Sequence, residues 1–167
     1  MKVAVVSDTH VRGVADGLPG AFWELVDSAD LLIHLGDFTG ADFARSLGAR
    51  CRMTAVCGNC DPVELGRHFP SVATVRLGVK KAVLMHIGPS RDETLMEKAI
   101  SWARQGICLC FFGHTHRCED FAVGDVRFLN PGSAGGPQKG PGGPTAGLLL
   151  VEGERFAWRT VRLDERE

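Results

Sequence analysis

The sequence lacks an excess of charge of either sign: 19 Lys and Arg stand against 20 Asp and Glu, for a formal net charge of -1. That excludes the broad electrostatic footprint of a nucleic-acid or anionic-membrane binder, so an anionic substrate must be held locally. Apolar runs of membrane-spanning length are also missing, and the first segment, MKVAVVSDTH, turns polar too soon for a signal-peptide core. The chain therefore reads as soluble and cytoplasmic. It shows no internal repeat and no appended specificity domain. The loops at 11–20, 62–70 and 131–147 carry no basic or base-stacking signature. With 167 residues, 44% of them hydrophobic, the chain is long enough to bury one sizeable core and short for two, so residues 1–167 read as a single domain.

Six cysteines are present, Cys51, Cys57, Cys60, Cys108, Cys110 and Cys118, but no export signal accompanies them, so reduced and mostly buried thiols are expected. Cys108 and Cys110 sit two apart in ICLCFF, where a regular strand would put both on one face. The CGNC stretch at 57–60 has redox spacing. However, Asp61 and Pro62 follow at once, where a dithiol motif would open a helix.

Short apolar runs punctuate the chain. KVAVVSD, DLLIHLGD and RMTAVCGN read as buried strands ending at a polar residue or glycine, and LPGAFWELVDSA and ADFARSLGA between them have helical spacing. Strand, helix, strand, helix, strand implies parallel pairing with crossover helices. SVATVRLG and KKAVLMHIG form an expected antiparallel pair around Gly78. SRDETLMEKAISWARQG reads as a helix with a Ser90/Glu93 capping box, an apolar face of Leu95, Met96, Ala99, Ile100 and Ala103, and a stop at Gly106. ICLCFFG, CEDFAVG, VRFLNPG, AGLLLVEG and RFAWRTVRL read as five further strands. The Gly- and Pro-rich stretch from Pro131 to Gly147 reads as an irregular loop.

Seven polar residues fall where strands give way to loops: Asp8, His10, Asp37, Asn59, His86, His114 and His116. The carboxyl ends of strands in an open α/β sheet are where ligands bind, so groups spread over a hundred residues can converge there. Two carboxylates, an amide oxygen and four imidazoles crowded into a dry pocket would repel or go unsatisfied, and divalent ions remove that difficulty. Nitrogen and oxygen donors together favour Mn²⁺, Fe²⁺, Co²⁺, Ni²⁺ or Zn²⁺ over Mg²⁺ or Ca²⁺. Residues 8 and 10, or 114 and 116, would point the same way from an extended segment, each pair facing one cluster.

DTH at 8–10, GD at 36–37, GNCD at 58–61, His86, GHTH at 113–116 and NPGS at 130–133 together resemble the ordered signature of the calcineurin-like metallophosphoesterases, in particular their small single-domain prokaryotic phosphodiesterases. The resemblance implies an α/β fold in which two mixed β-sheets pack as a sandwich flanked by helices. It also implies two divalent transition-metal ions, with Mn²⁺ foremost. One would take Asp8, His10, Asp37 and His116; the other would take Asp37, Asn59, His86 and His114, with Asp37 bridging. Asp37, Asn59 and His114 would also carry the chemistry. Two ions about 3.5 to 4 Å apart can lower the pKa of a shared water and clamp a phosphoryl group for in-line attack. The implied reaction is hydrolysis of a small phosphate ester, a diester by preference. Larger relatives place histidine where this chain has Cys60, and many small relatives have HGH where it has HIGPS at 86–90.

Other polar residues have plainer readings. His34, inside an apolar strand, reads as a hydrogen-bonded core histidine, and His68 as a surface residue. NPGS reads as a turn whose Asn130 could orient a ligand, and Lys139 as exposed. A competing role is a non-catalytic protein-binding scaffold of the same fold, like the small scaffold subunit of retromer; the intact histidine set weighs against it. The size suits a symmetric homodimer.

Overall fold

Every second residue of the first apolar run belongs to a different core, and that alternation fixes the architecture. In this computed structural model, which describes residues 1–11, 17–92, 94–135 and 143–164, Val3 and Val5 pack with one buried cluster and Ala4 and Val6 with another. A strand buried on both faces has no room for polar residues, hence the continuous run. The elements are β1 (Lys2–Val6), α1 (Gly20–Asp27), β2 (Leu31–His34), α2 (Ala41–Arg50), β3 (Met53–Ala55), α3 (Val63–His68), β4 (Val72–Leu77), β5 (Lys80–Met85), α4 (Thr94–Arg104), β6 (Ile107–Phe111), β7 (Cys118–Val123), β8 (Val126–Pro131), β9 (Thr145–Glu152) and β10 (Arg155–Arg162).

Two five-stranded sheets result, ordered β10-β9-β1-β2-β3 and β4-β5-β6-β8-β7. The β1-β2-β3 unit is parallel as expected, and β9 and β10 extend it antiparallel. In the second sheet β5, β6 and β8 are parallel and β4 and β7 are antiparallel edges. Leu31, Ile33, Leu84, Phe111, Leu129 and Leu149 fill the space between the sheets. Phe22, Val26, Phe43 and Leu47 of α1 and α2 cover the outer face of the first sheet, and Leu95 and Ala99 of α4 cover the second. Helix, sheet, sheet, helix is thus the layer order, and both sheets are mixed.

Three local expectations are corrected. Cys108 and Cys110 do not share a face: Cys108 packs against the core between the sheets, whereas Cys110 lies in the core under α4. The cause is a register shift opposite Lys81 and Ala82, which pair with Ile107 and Leu109 and leave Cys108 as the extra residue of a bulge. The apolar face of α4 is also narrower than expected. Leu95 and Ala99 are buried, but Met96 and Ile100 stay 50% and 44% exposed, because the helix meets its sheet along one row. Glu93 of the expected capping box lies outside the described residues, and the Asp92 carboxylate accepts from both the amide and the hydroxyl of Thr94. Lys139 also lies outside the described residues. All six cysteines are free, but only Cys51 and Cys110 are buried, which corrects the expectation of mostly buried thiols.

Candidate metal centre

The loops after β1, β2, β3, β5 and β6 meet at one end of the sandwich because backbone pairing continues past the strands. Asp8, His10 and Val11 donate their amides to the carbonyls of Gly36, Asp37 and Phe38 at 3.1, 3.0 and 3.0 Å, and Gly113 donates to His86 at 2.9 Å. Glycine permits this closeness. A Cβ on Gly58 would lie 2.1 Å from Asp37 Oδ1, and one on Gly113 would lie 1.9 Å from Ser7 Oγ.

The expected residues converge. His116 Nε2 is 3.1 Å from Asp8 Oδ1, and His10 Nε2 is 4.0 Å from the same oxygen and 3.8 Å from Asp37 Oδ2. His86 Nε2 is 3.4 Å from Asp37 Oδ2 and 2.8 Å from Asn59 Oδ1. Asp8, His10 and His116 form one group whose donor atoms lie within 4.8 Å of one another, and Asp8, Asp37 and His86 form a second. His114 stands further out: its exposed ring meets the ring of His86 at 5.2 Å, and its amide donates to Asp8 Oδ2 at 3.1 Å. Asp8 therefore joins both groups, as does the second carboxylate, Asp37, through its contact with His10.

The means of convergence differs from the extended segments expected. Asp8, His10, His114 and His116 have φ of 55, 51, 68 and 56°, and Asp37 has 58°. Left-handed backbone, which Asp and His tolerate better than most residues, turns these side chains inward.

The donor set fits cations. Asp8 Oδ1 and His10 Nε2 are buried and have no hydrogen-bond partner; the 3.1 Å approach of His116 to Asp8 lacks hydrogen-bond geometry. Buried orphans of this kind are rare unless something else satisfies them. The same holds at His86. Its Nδ1 lies 2.8 Å from the Leu35 carbonyl and so carries the proton there, which turns the lone pair of a neutral ring at Nε2 toward two oxygens. A proton or a metal ion at Nε2 would relieve that. Burial alone would lower the His86 imidazole, but Asp37 wins and raises it above the ordinary value. Burial would likewise raise the Asp37 carboxyl, yet the hydrogen bonds from His86 and the Cys60 amide hold it well below the usual carboxylate range.

Supporting residues absent from the sequence-based site set lie behind the donors. Asp61 accepts three backbone amides, those of Asp37 at 3.0 Å, Thr39 at 2.9 Å and Gly58 at 2.8 Å, and so locks the loops after β2 and β3 together. It ends the GNCD motif, and its place after a strand was the available signal. Ser133 donates its hydroxyl to the Asp8 carbonyl at 2.9 Å, and Asn130 donates to the carbonyl of Gly113 at 2.9 Å, so NPGS buttresses two donor loops besides turning the chain. His34 is fully buried, stacked on Phe38 at 3.5 Å and bonded to Thr9 Oγ1 at 3.1 Å; burial, then the charge of His86, keeps it neutral. It is the core histidine expected. His68 is exposed. The Cys60 thiol lies within 4.8 Å of donor atoms of His10 and Asp37; burial and then Asp37 push it up, opposite to what a redox dithiol needs. A cleft of about 850 Å³ beside α1, lined by Lys2, Glu24 and Arg159 among others, contains none of these groups.

Comparison with known proteins agrees with this geometry. Residues 1–154 match the model of the calcineurin-like phosphoesterase superfamily domain. The chain is 31% identical over 134 residues to a probable metallophosphoesterase of Methanocaldococcus jannaschii, covering 80% of this chain and 68% of that protein. It is 26% identical over 167 residues to a probable metallophosphoesterase of Methanothermobacter thermautotrophicus, covering 97% and 92%. Its fold is similar to that of Vps29 from Entamoeba histolytica complexed with Zn²⁺, with a TM-score of 0.73 at 23% identity over 98% of this chain and 100% of that one. With the family model spanning every donor loop described above, the chain belongs to the calcineurin-like phosphoesterase superfamily.

Proposed function

We propose that the protein hydrolyses phosphate esters, diesters by preference, using two divalent transition-metal ions, Mn²⁺ foremost. Asp8, His10, Asp37 and His116 would hold one ion, and Asp37, Asn59, His86 and His114 the other. The observation that carries this reading is the pair of buried, unpartnered donor atoms, Asp8 Oδ1 and His10 Nε2, beside the Asp37, His86 and Asn59 cluster. When bound, such ions supply Lewis acidity toward the phosphoryl oxygens and a water-derived nucleophile at neutral pH.

The chain's own residues hold this arrangement before substrate arrives. The Cys60 amide fixes Asp37 Oδ1, the His114 amide fixes Asp8 Oδ2, and the Leu35 carbonyl fixes the tautomer of His86. His114, exposed at the rim, is placed to contact the transferring phosphoryl group or the departing ester oxygen. In the net reaction the oxygen of water bonds to phosphorus, the ester P–O bond breaks, and the departing alkoxide or phenolate takes a proton. Cys60 stands where an imidazole would donate that proton, and a thiol is a weaker donor, so acidic leaving groups should be favoured. A metal-binding scaffold of the same fold would satisfy the same orphans, so hydrolysis, and not metal content, separates it from this reading.

Hydrolysis of bis(p-nitrophenyl) phosphate with Mn²⁺, and its loss in excess chelator, tests the reading. Metal content by elemental analysis should approach two ions per chain and fall in Asp37→Ala. Full activity in chelator with no metal detected would refute it.

A further inference from the structure

Immediately beside His114 a second, smaller pocket opens, with a volume of about 280 Å³. Its lining is unlike the centre. Phe112 and Phe121 form the floor, Ile87 forms a wall, and Arg91, Thr115 and Glu119 form a polar rim. Ile87 follows His86 directly in sequence and is 58% exposed. The Arg91 guanidinium lies over the Phe121 ring, 4.0 Å from its centroid, and is paired with Glu119, whose other oxygen accepts from the Thr115 hydroxyl at 3.0 Å.

Size decides what this pocket can take. At about 280 Å³ it stands at the lower edge of the roughly 300–1,000 Å³ typical of pockets that enclose a drug-sized ligand, so it suits one substituent of a molecule anchored elsewhere. The anchor is at hand, because His114 lines the pocket and also contacts the ring of His86. We propose that this pocket is a subsite for a flat aromatic ester group of the substrate, seated against Ile87 and the guanidinium plane of Arg91 while its phosphate lies at the donor cluster.

The flatness follows from the walls. Arg91 covers one face of Phe121 and Phe128 stacks on the ring as well, so the planar surface open to an incoming group is the guanidinium of Arg91, held flat by Phe121 and itself a stacking partner for aromatic faces. Because Glu119 neutralises Arg91, the rim adds no net charge and does not select a second anionic group. It does offer donors and an acceptor to a heteroaromatic edge. A simple aryl group and a nucleobase share this chemistry.

The proposal rests on the hydrolytic reading above, and the test separates the two. Methyl, phenyl and thymidine 5′ diesters of p-nitrophenyl phosphate keep one leaving group and vary only the group that would enter the pocket. With Mn²⁺ present, kcat/KM for the phenyl ester should exceed that for the methyl ester by about tenfold or more, the worth of part of an aromatic ring removed from water. Ile87→Ser should bring the phenyl-to-methyl ratio down severalfold. Phe121→Leu keeps apolar bulk but removes the ring that holds the Arg91 guanidinium flat, so it should lower the ratio while thermal unfolding shows the fold intact. Val72→Ser, at the exposed edge of the same sheet, should leave the ratio unchanged. A thymidine ester above the phenyl ester points to a nucleobase, and the reverse order to an aryl group. A wild-type ratio near one, or a ratio indifferent to both pocket variants, overturns the subsite. If no ester is hydrolysed, the hydrolytic reading fails instead. The subsite is then judged by calorimetric binding of phenylphosphonate against methylphosphonate in the Mn²⁺-loaded protein, where equal affinities overturn it.

Discussion

At the end of the sheets away from the donor groups, the chain turns through left-handed backbone at Gly78, Gly106, Gly124 and Gly153. At Gly106 and Gly153 a Cβ would meet nothing within 4 Å, so glycine is there for its backbone freedom alone. At the donor end the same backbone region is occupied by Asp8, His10, Asp37, Thr39, His114 and His116, which are the described non-glycine residues with positive φ. Each such residue carries a penalty of roughly 1 kcal/mol or more that glycine avoids. The far end takes the relaxed solution, whereas the donor end, which uses it at Gly36 and Gly132, also keeps strained side chains. Five of the six belong to the candidate site, so the difference teaches that the backbone cost falls where the candidate ligands are, and it can be attacked from both ends.

The largest effect is expected from His10→Gly, which relaxes a left-handed residue and removes an orphaned nitrogen. Mn²⁺-dependent hydrolysis should fall by at least about 100-fold. Urea unfolding of the metal-free variant should have a midpoint no lower than wild type. A large loss of stability with activity retained would reverse the comparison.

Asp61→Asn should come next. An amide cannot accept all three backbone N–H groups as the carboxylate does, so the metal-free protein should lose about 1–3 kcal/mol, and Mn²⁺ affinity should fall by about 10- to 100-fold. Calorimetric titration reads the second quantity. Unchanged affinity would mean that the loops after β2 and β3 hold position without it. His34→Ala, which removes a packed ring further back, should cost about 2–4 kcal/mol with Mn²⁺ stoichiometry unchanged by elemental analysis.

The pH response is subtler. The raised His86 contributes stability to the metal-free protein below the ordinary imidazole value of 6.5 and loses it as pH rises through the raised value. The depressed Asp37 contributes above the ordinary carboxylate value of 3.8 and loses it as pH falls through the depressed value. This pair therefore helps the metal-free fold most between those two ordinary values. A metal ion must displace the His86 proton, so Mn²⁺ affinity should rise with pH until the raised His86 value is passed. Equal affinity at pH 6 and pH 8 would exclude His86 as the group that exchanges proton for metal. Smallest of all, Gly106→Ala should cost about 1 kcal/mol of stability and leave kcat/KM untouched. A loss of activity there would join the two ends of the fold.

What was legible in the sequence follows the same division. β1, β2 and β3 could be read because strands buried on both faces must be continuously apolar, and the convergence of the candidate ligands because each follows such a run. The bulge at Cys108 was not legible: a register shift is decided by the neighbouring strand, here at Lys81 and Ala82. The exposure of Met96 and Ile100 depended likewise on how α4 meets its sheet. Asp61 was quoted within a motif, but a carboxylate that serves backbone amides looks in sequence like any turn residue. The left-handed donors were hidden because alternation along an extended segment predicts the same inward pairs that αL backbone delivers.

The bonds that fix Asp8 reach to His114 and Ser133, residues 106 and 125 positions further along the chain, and β1 is flanked by β9, which ends at Glu152. On a ribosome adding about 5–20 residues per second, Asp8, His10, Asp37 and Asn59 emerge seconds before the partners that orient them. A growing polypeptide has the early residues of the candidate site without their supports, and the arrangement is complete only once the last strands have left the exit tunnel.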